Sequence, residues 1–419
     1  MLKKALVIIS LFYSVLIYPQ KILIPMDIAQ TDHLKAYGVA YFTLEKELNV
    51  QWLLNYRGGS FLTDYNGVIE RELRLRGVTY ELADAARVAS IFNEIDQSNM
   101  EIVLLEKAPA VAVYAPPNFQ PWDDAVALAL AYAEIKYDVV WDPDVLTGKL
   151  DEYDWLHLHH EDFTGQFGKF YTSYGQTDWY IKNQLIQEET AGNLGFSKVS
   201  ELKLEIAKKV KEYVTRGGFL FAMCSATDSY DIALAAENTD ICSEIFDGDP
   251  ADPGCQDKLD YSRTFAFENF ILERNPYVYE YSDIDIPPSN APVLPGPEND
   301  FFTLFDFSAK YDPVPAMLTQ CHTNVIKGFM GQTTSFRRSR IKKNVIIMGE
   351  TEETEKVKYI HGNFGKGTFT FYGGHDPEDY THFINDPPTQ LSLHKNSPGY
   401  RLILNNVLFP AAKKKKRKT

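Results

Sequence analysis

The chain has 419 residues, 45% hydrophobic and 24% charged, and a formal net charge of −15. That composition excludes a disordered chain, a fibrous repeat and a polytopic membrane protein. The acidic balance argues against nucleic acid as a partner, and four cysteines are too few for a disulfide framework.

Lys3 and Lys4 precede an uncharged apolar run over residues 5–17. A basic start followed by a short apolar core predicts a signal peptide over residues 1–19 and a periplasmic or secreted protein. The run is too short for a comfortable membrane span, so no integral span is expected once the signal is cleaved. In an oxidising compartment Cys242 and Cys255 are candidates for a disulfide, against four independent thiols.

Residues 20–107 read as an N-terminal βα region. A strand at 21–25 leads into a helix at 31–48 and a strand at 50–54, followed by a loop at 55–60 and further βα-like pieces. Residues 108–410 read as one α/β domain. Strands at 111–114, 137–141, 154–159 and 219–223 alternate with helices at 122–135 and 202–215. The alternation predicts a mostly parallel, doubly wound sheet covered on both faces.

Residues 242–340, rich in Asp, Pro and Asn, break this rhythm and read as an irregular insertion or lid. Strands return at 344–348, 359–361 and 368–372. Gly362, Gly365 and Gly367 fit a hairpin turn better than a phosphate loop, because no helix follows. A helix or strand at 402–408 closes the fold. The run of Lys and Arg at 413–418 places a disordered basic tail at 411–419, free in solvent or in touch with acidic surfaces.

Three clusters fall at the carboxyl ends of predicted strands, the edge where open parallel sheets bind ligands. The first contains His157, His159, His160, Glu161 and Asp162. Period-two alternation puts His157 and His159 on one face and His160 on the other. His157, His159 and Glu161 are the residue types of a divalent metal site, and His159, His160 and Glu161 equally suit acid–base catalysis. A core histidine with acids capping the next segment is the plain alternative. The second is Cys224, at a strand-to-helix turn where backbone N–H groups can face a nucleophilic sulfur or an oxyanion. Ala222 and Ala226 stand where such turns usually carry glycine, and a buried inert thiol is the alternative. The third is Gly373-Gly374-His375 with Asp376, Glu378 and Asp379, either an oriented imidazole or a helix start. The acidic run at 247–252 lacks the spacing of a calcium-binding EF-hand loop.

Residues 213–224, 365–378 and 399–408 resemble the class I glutamine-amidotransferase-like fold, in its trehalose-utilisation-type branch. The resemblance implies a flavodoxin-like sheet with Cys224 as nucleophile and His375 as its partner. Glu378 would be the third member, one residue late, with Asp376 competing. The stretches at 52–61, 155–163 (WLHLHHEDF) and 221–228 (FAMCSATD) resemble exported Gram-negative proteins labelled asparagine synthetase B. Glutamine-dependent asparagine synthesis needs a Cys after the initiator Met and a Ser-Gly-Gly-x-Asp-Ser loop. This chain has Leu2 and lacks the loop. The expectation is a hydrolase or binder acting on a glycan or amide-bearing small-molecule envelope ligand, with a non-catalytic binding or scaffold module as the alternative.

Overall fold

The computed structural model describes residues 20–286, 296–312, 314–383 and 386–412. The expected signal peptide and the basic run from residue 413 lie outside the described residues. Ala411 and Ala412 do not: Ala412 forms an antiparallel bridge with Leu105, so the tail starts later than expected. Among the described residues, no helix is long and apolar enough to cross a membrane.

The protein is α/β and is built on two sheets. The first comprises β1 (Lys21–Ile24), β2 (Val50–Leu54), β3 (Ser60–Asp64), β4 (Glu81–Ala83) and β5 (Glu101–Leu105). Its order is β4-β1-β3-β2-β5, and every neighbouring pair is antiparallel. The region expected to be βα over residues 20–107 is thus a separate antiparallel sheet with helices between its strands. Residues 55–59 alone join β2 to β3, and a parallel crossover needs about a dozen residues. The link closes because Asn55, Arg57, Gly58 and Gly59 all take left-handed φ angles. Gly58 is required there, since a Cβ would meet the Met26 carbonyl oxygen at 2.4 Å.

Strand β1 alternates its side chains across the sheet. Ile22 and Ile24 join the main core, whereas Leu23 packs with Ile91 and Ile95 of the Ala85–Gln97 helix. The His33–Glu45 helix is buried on nearly all sides. It lies against β2 and against the Ala125–Ala133 and Pro398–Leu408 helices, which accounts for its apolar circumference.

The second sheet contains β6 (Val111–Tyr114), β7 (Asp138–Val140), β8 (Trp155–Leu158), β9 (Phe219–Met223), β10 (Phe301–Leu304), β11 (Val325–Lys327), β12 (Phe336–Arg337), β13 (Ile346–Glu350), β14 (Lys356–Phe364) and β15 (Gly367–Tyr372). Its order is β11-β10-β13-β14-β15-β9-β8-β6-β7, with β12 added onto β14. The five strands from β15 to β7 are parallel, and the rest are antiparallel. The β14–β15 hairpin turns at Gly365 (φ 60°), while Gly362 lies inside β14. Phe221 and Met223 of β9 face the Ala125–Ala133 and Pro398–Leu408 helices. Leu220 and Ala222 face the Val199–Arg216 and Ala226–Ala235 helices.

The segment read as an insertion is part of this architecture. It supplies β10, β11 and β12, and it then crosses the carboxyl ends of the parallel strands. The Met330 carbonyl accepts from the His375 N–H (2.9 Å), and the Thr333 carbonyl accepts from the Gly374 N–H (2.7 Å). It is therefore a wall of the strand edge and not a separate lid.

Candidate metal centre

Two groups of polar side chains occupy the carboxyl edge of the parallel strands, one toward each face of the sheet. The first is a cluster of histidines. Strand β8 ends at Leu158, so His159 and His160 lie beyond the region where alternation holds. Their rings accordingly meet: His159 Nδ1 and His160 Nδ1 are 2.8 Å apart, and one ring must carry its proton there for the contact to be a hydrogen bond. His375, two residues beyond Gly373 at the end of β15, brings its ring centroid to 4.3 Å from that of His159 and 5.8 Å from that of His160. Ligand atoms of His159, His160 and His375 all lie within 4.8 Å of one another. His382 stacks on His375 with centroids 4.3 Å apart and planes 14° apart. Asp123, His375 and His382 form a second such triple.

Carboxylates hold this cluster. Asp124 is the N-cap of the Ala125–Ala133 helix; its Oδ1 accepts from the Val126 N–H (2.7 Å) and the Ala127 N–H (3.0 Å). Its other oxygen lies 3.3 Å from His157 Nε2 and 3.6 Å from His159 Nδ1. His382 is gripped on both nitrogens, by Asp123 and by Asp379, each at 2.8 Å.

Burial, reinforced by neighbouring imidazoles, pushes the pKa of His159 and of His375 well below the usual histidine value. Both are therefore neutral and offer lone pairs. His159 Nε2 is buried without a partner. Burial also opposes protonation of His382, but Asp123 and Asp379 outweigh it and raise its pKa to about 9. Neutral imidazoles at His159 and His375 are the donor type that transition-metal sites use, and beside them His382 stands as an imidazolium held by two carboxylates.

The second group surrounds Cys224. Its φ is 51°, a left-handed conformation unusual for a residue other than glycine, and the Ala226–Ala235 helix starts two residues later. The Cys224 N–H donates to the Gly374 carbonyl, so the backbones of the second and third sequence clusters touch (3.2 Å). The sulfur goes elsewhere. Met223, the last strand residue, faces the histidine side, whereas the Cys224 sulfur lies near Tyr281, which packs on the opposite face. Backbone amides of Gln332, Thr333 and Ser225 favour its thiolate, but burial dominates and raises its pKa.

The expected site residues therefore separate. His159, His160 and His375 come together. His157 does not join them: it is fully buried, with Nδ1 3.2 Å from the Phe221 carbonyl and Nε2 toward Asp124. Glu161 lies outside the converging ligand atoms, so the expected metal set His157, His159 and Glu161 is replaced by His159, His160 and His375. Asp376 accepts from the Tyr400 hydroxyl (2.8 Å), and Glu378 pairs with His394 Nδ1 (2.9 Å). Neither orients His375. All four cysteines are free, Cys242 and Cys255 included. In the acidic run, Asp247 and Asp249 share the Lys198 ammonium with Asp240, which offsets one of the three carboxylate charges.

Asp123, Asp124 and His382 were missed. The aspartates were legible only as a helix start after β6. His382 was legible only as a seventh residue after His375.

No family model matches the chain, and no curated protein matches it. Among solved structures, it is similar to the cytoplasmic protein STM3548 from Salmonella typhimurium, with 10% identity over 73% of this chain and 100% of that one (TM-score 0.34). A second cytoplasmic protein, STM1381 from Salmonella typhimurium LT2, is 11% identical over 73% and 99% of the two chains (TM-score 0.34). A GH42 β-galactosidase is 12% identical over 64% of this chain and 28% of its own (TM-score 0.24).

Proposed function

We propose that this is an exported hydrolase of class I glutamine-amidotransferase-like, flavodoxin-like architecture. Its histidine centre would hold a divalent cation and act on a glycan or amide-bearing envelope ligand. The observation that carries this reading is the convergence of the His159, His160 and His375 ligand atoms within 4.8 Å.

Two further observations support it. Numbered in chain order, the five parallel strands run 2-1-3-4-5, the flavodoxin-like order. In that arrangement ligands bind where the strand order reverses, here between the carboxyl ends of β6 and β8. Asp123 and Asp124 follow β6, and His159 and His160 follow β8. Export rests on the charge and apolar pattern of residues 1–19, and contact with acidic surfaces rests on the basic tail.

A cation in this centre would supply Lewis acidity and acidify a bound water. His159, His160 and His375 would hold it. His382, whose two N–H groups are both held by Asp123 and Asp379, would fix the position of His375, on which it stacks. Cys224 has no nucleophilic role in this reading, because burial keeps its thiol protonated and its sulfur points to the other face. That same observation favours a second reading, a non-catalytic binding or scaffold module.

The test is elemental analysis of the purified full chain after incubation with zinc or manganese and dialysis. About one divalent ion per chain is expected, and it should be lost in His375→Ala with the far-UV spectrum unchanged. Natively folded wild type that retains no metal sinks the proposal. Metal retention without hydrolysis of envelope polysaccharide or peptide amides leaves the binding module.

A further inference from the structure

The face of the strand edge that carries Cys224 holds a second concentration of polar atoms, none of them used by the histidine centre. Asp228 Oδ2, Asp285 Oδ2, Gln332 Oε1 and the Tyr281 hydroxyl are buried and have no hydrogen-bond partner. Each of these residues is more than nine-tenths buried. Their other atoms fix them in place. The Thr333 hydroxyl donates to Asp228 Oδ1 (2.8 Å). Gln332 Nε2 donates to the Gly168 carbonyl (2.6 Å) and the Tyr279 carbonyl (3.2 Å). The Thr334 and Ser335 amides donate to Asp285 Oδ1 at 2.9 and 3.1 Å. Buried polar groups that are positioned but unsatisfied call for a partner from outside the protein.

An aromatic wall adjoins them. Tyr279 is 42% exposed and its ring lies 5.6 Å from that of Phe170. Phe170 lies 5.9 Å from both Tyr174 and Trp179, which are 5.3 Å from each other. Tyr279 is the exposed ring of this group, and Phe170, Tyr174 and Trp179 stand half-buried behind it.

We propose that this aromatic wall, with the unpartnered Asp228, Asp285 and Gln332 side chains beside it, is a binding site for a neutral saccharide. A sugar ring offers both an apolar C–H face to lie on the aromatic rings and several hydroxyls to satisfy the orphan atoms. An aromatic peptide side chain supplies the first and few of the second. A nucleotide or phosphorylated sugar is disfavoured, because the orphan atoms belong to carboxyl, amide and phenol groups and none to a cation. The site does not depend on the metal reading, since it stands on the opposite face of the sheet edge.

The test uses the full chain on an array of neutral oligosaccharides, with acidic glycans and aromatic peptides printed alongside. Retention by neutral glycans is expected. Tyr279→Ala and Gln332→Ala should each weaken it about tenfold, a loss of the size expected for one good contact. His375→Ala, which would empty the metal centre, should leave it unchanged. Tyr279 is exposed, so its variant tests the wall even if Gln332→Ala misfolds. Failure to retain any neutral glycan, retention that survives Tyr279→Ala, or preference for acidic glycans or aromatic peptides each overturns the proposal.

Discussion

The ring of His375 lies 4.3 Å from the ring of His159, although the two residues follow strands β15 and β8 with β9 between them. Adjacent strands are spaced by about 4.8 Å, so the histidines reach across one intervening strand end. Cys224, which closes that middle strand, leaves the space free by turning its sulfur to the other face.

The cluster should therefore behave as one binding unit. His159→Ala or His375→Ala should abolish zinc binding, as read by competition with a chromogenic chelator. Asp124→Asn keeps the helix cap but removes the charge facing His157 and His159. It should weaken zinc by about 10–100-fold, the usual effect of a residue that orients a ligand. Zinc affinity unchanged in all three variants would contradict the geometry.

His382 ties stability to pH. Its folded pKa is about 9, above the ordinary 6.5, because Asp123 and Asp379 overcome the effect of burial. Protonation is thus favoured by folding. The stabilisation is complete below pH about 6.5, declines as pH rises toward 9, and is absent above it. With chelator present, urea midpoints of the wild type and His382→Gln should differ at pH 6 and converge near pH 10. A gap that widens with pH would contradict the assignment.

Cys224 should be slow to react. Burial raises its thiol pKa, so iodoacetamide at neutral pH should label it far more slowly than after denaturation. Its left-handed φ also makes a stability prediction. Cys224→Gly should be more stable than Cys224→Ala by about 1 kcal/mol, because glycine pays no Cβ penalty there. Urea unfolding of the two variants decides it.

Arg401 is fully buried, and no carboxylate among the described residues pairs with it. Its guanidinium donates to the Tyr37 hydroxyl (2.9 Å), the Met26 carbonyl (3.0 Å) and the Gly58 carbonyl. Arg401→Met should destabilise the chain by about 1–3 kcal/mol, since it strands the Gly58 carbonyl, whereas the Met26 carbonyl keeps His33 Nε2 at 3.0 Å. Arg401→Lys should not restore stability, because an ammonium lacks the planar fork. Full stability in the Met variant, measured in urea, would refute the role.

Much of the second sheet was readable in the sequence because its signals are local. The apolar run of β9, the amphipathic Val199–Arg216 helix and the glycines of the β14–β15 turn each declare themselves within a few residues. The antiparallel N-terminal sheet was not readable, because alternating strands and helices look alike in both topologies and only the short 55–59 link separates them. The converging histidines were half legible. His159 and His375 stood out by type, but the side to which His160 turns depended on β8 ending at Leu158, a boundary set by tertiary pairing. Asp124 meets His157 and His159 only through the fold, and nothing near it in sequence announces that contact.

The bonds of Arg401 also bear on how the chain is made. The His33–Glu45 helix completes its surroundings with the Pro398–Leu408 helix, the Leu34 N–H donates to the Lys395 carbonyl, and β5 is bridged by Ala412. The His33–Glu45 helix thus cannot be fully enclosed until residues 395–412 have been synthesised. Contacts so distant in sequence slow folding. The N-terminal sheet and its helix must wait, incompletely covered, for the C-terminal segment to arrive.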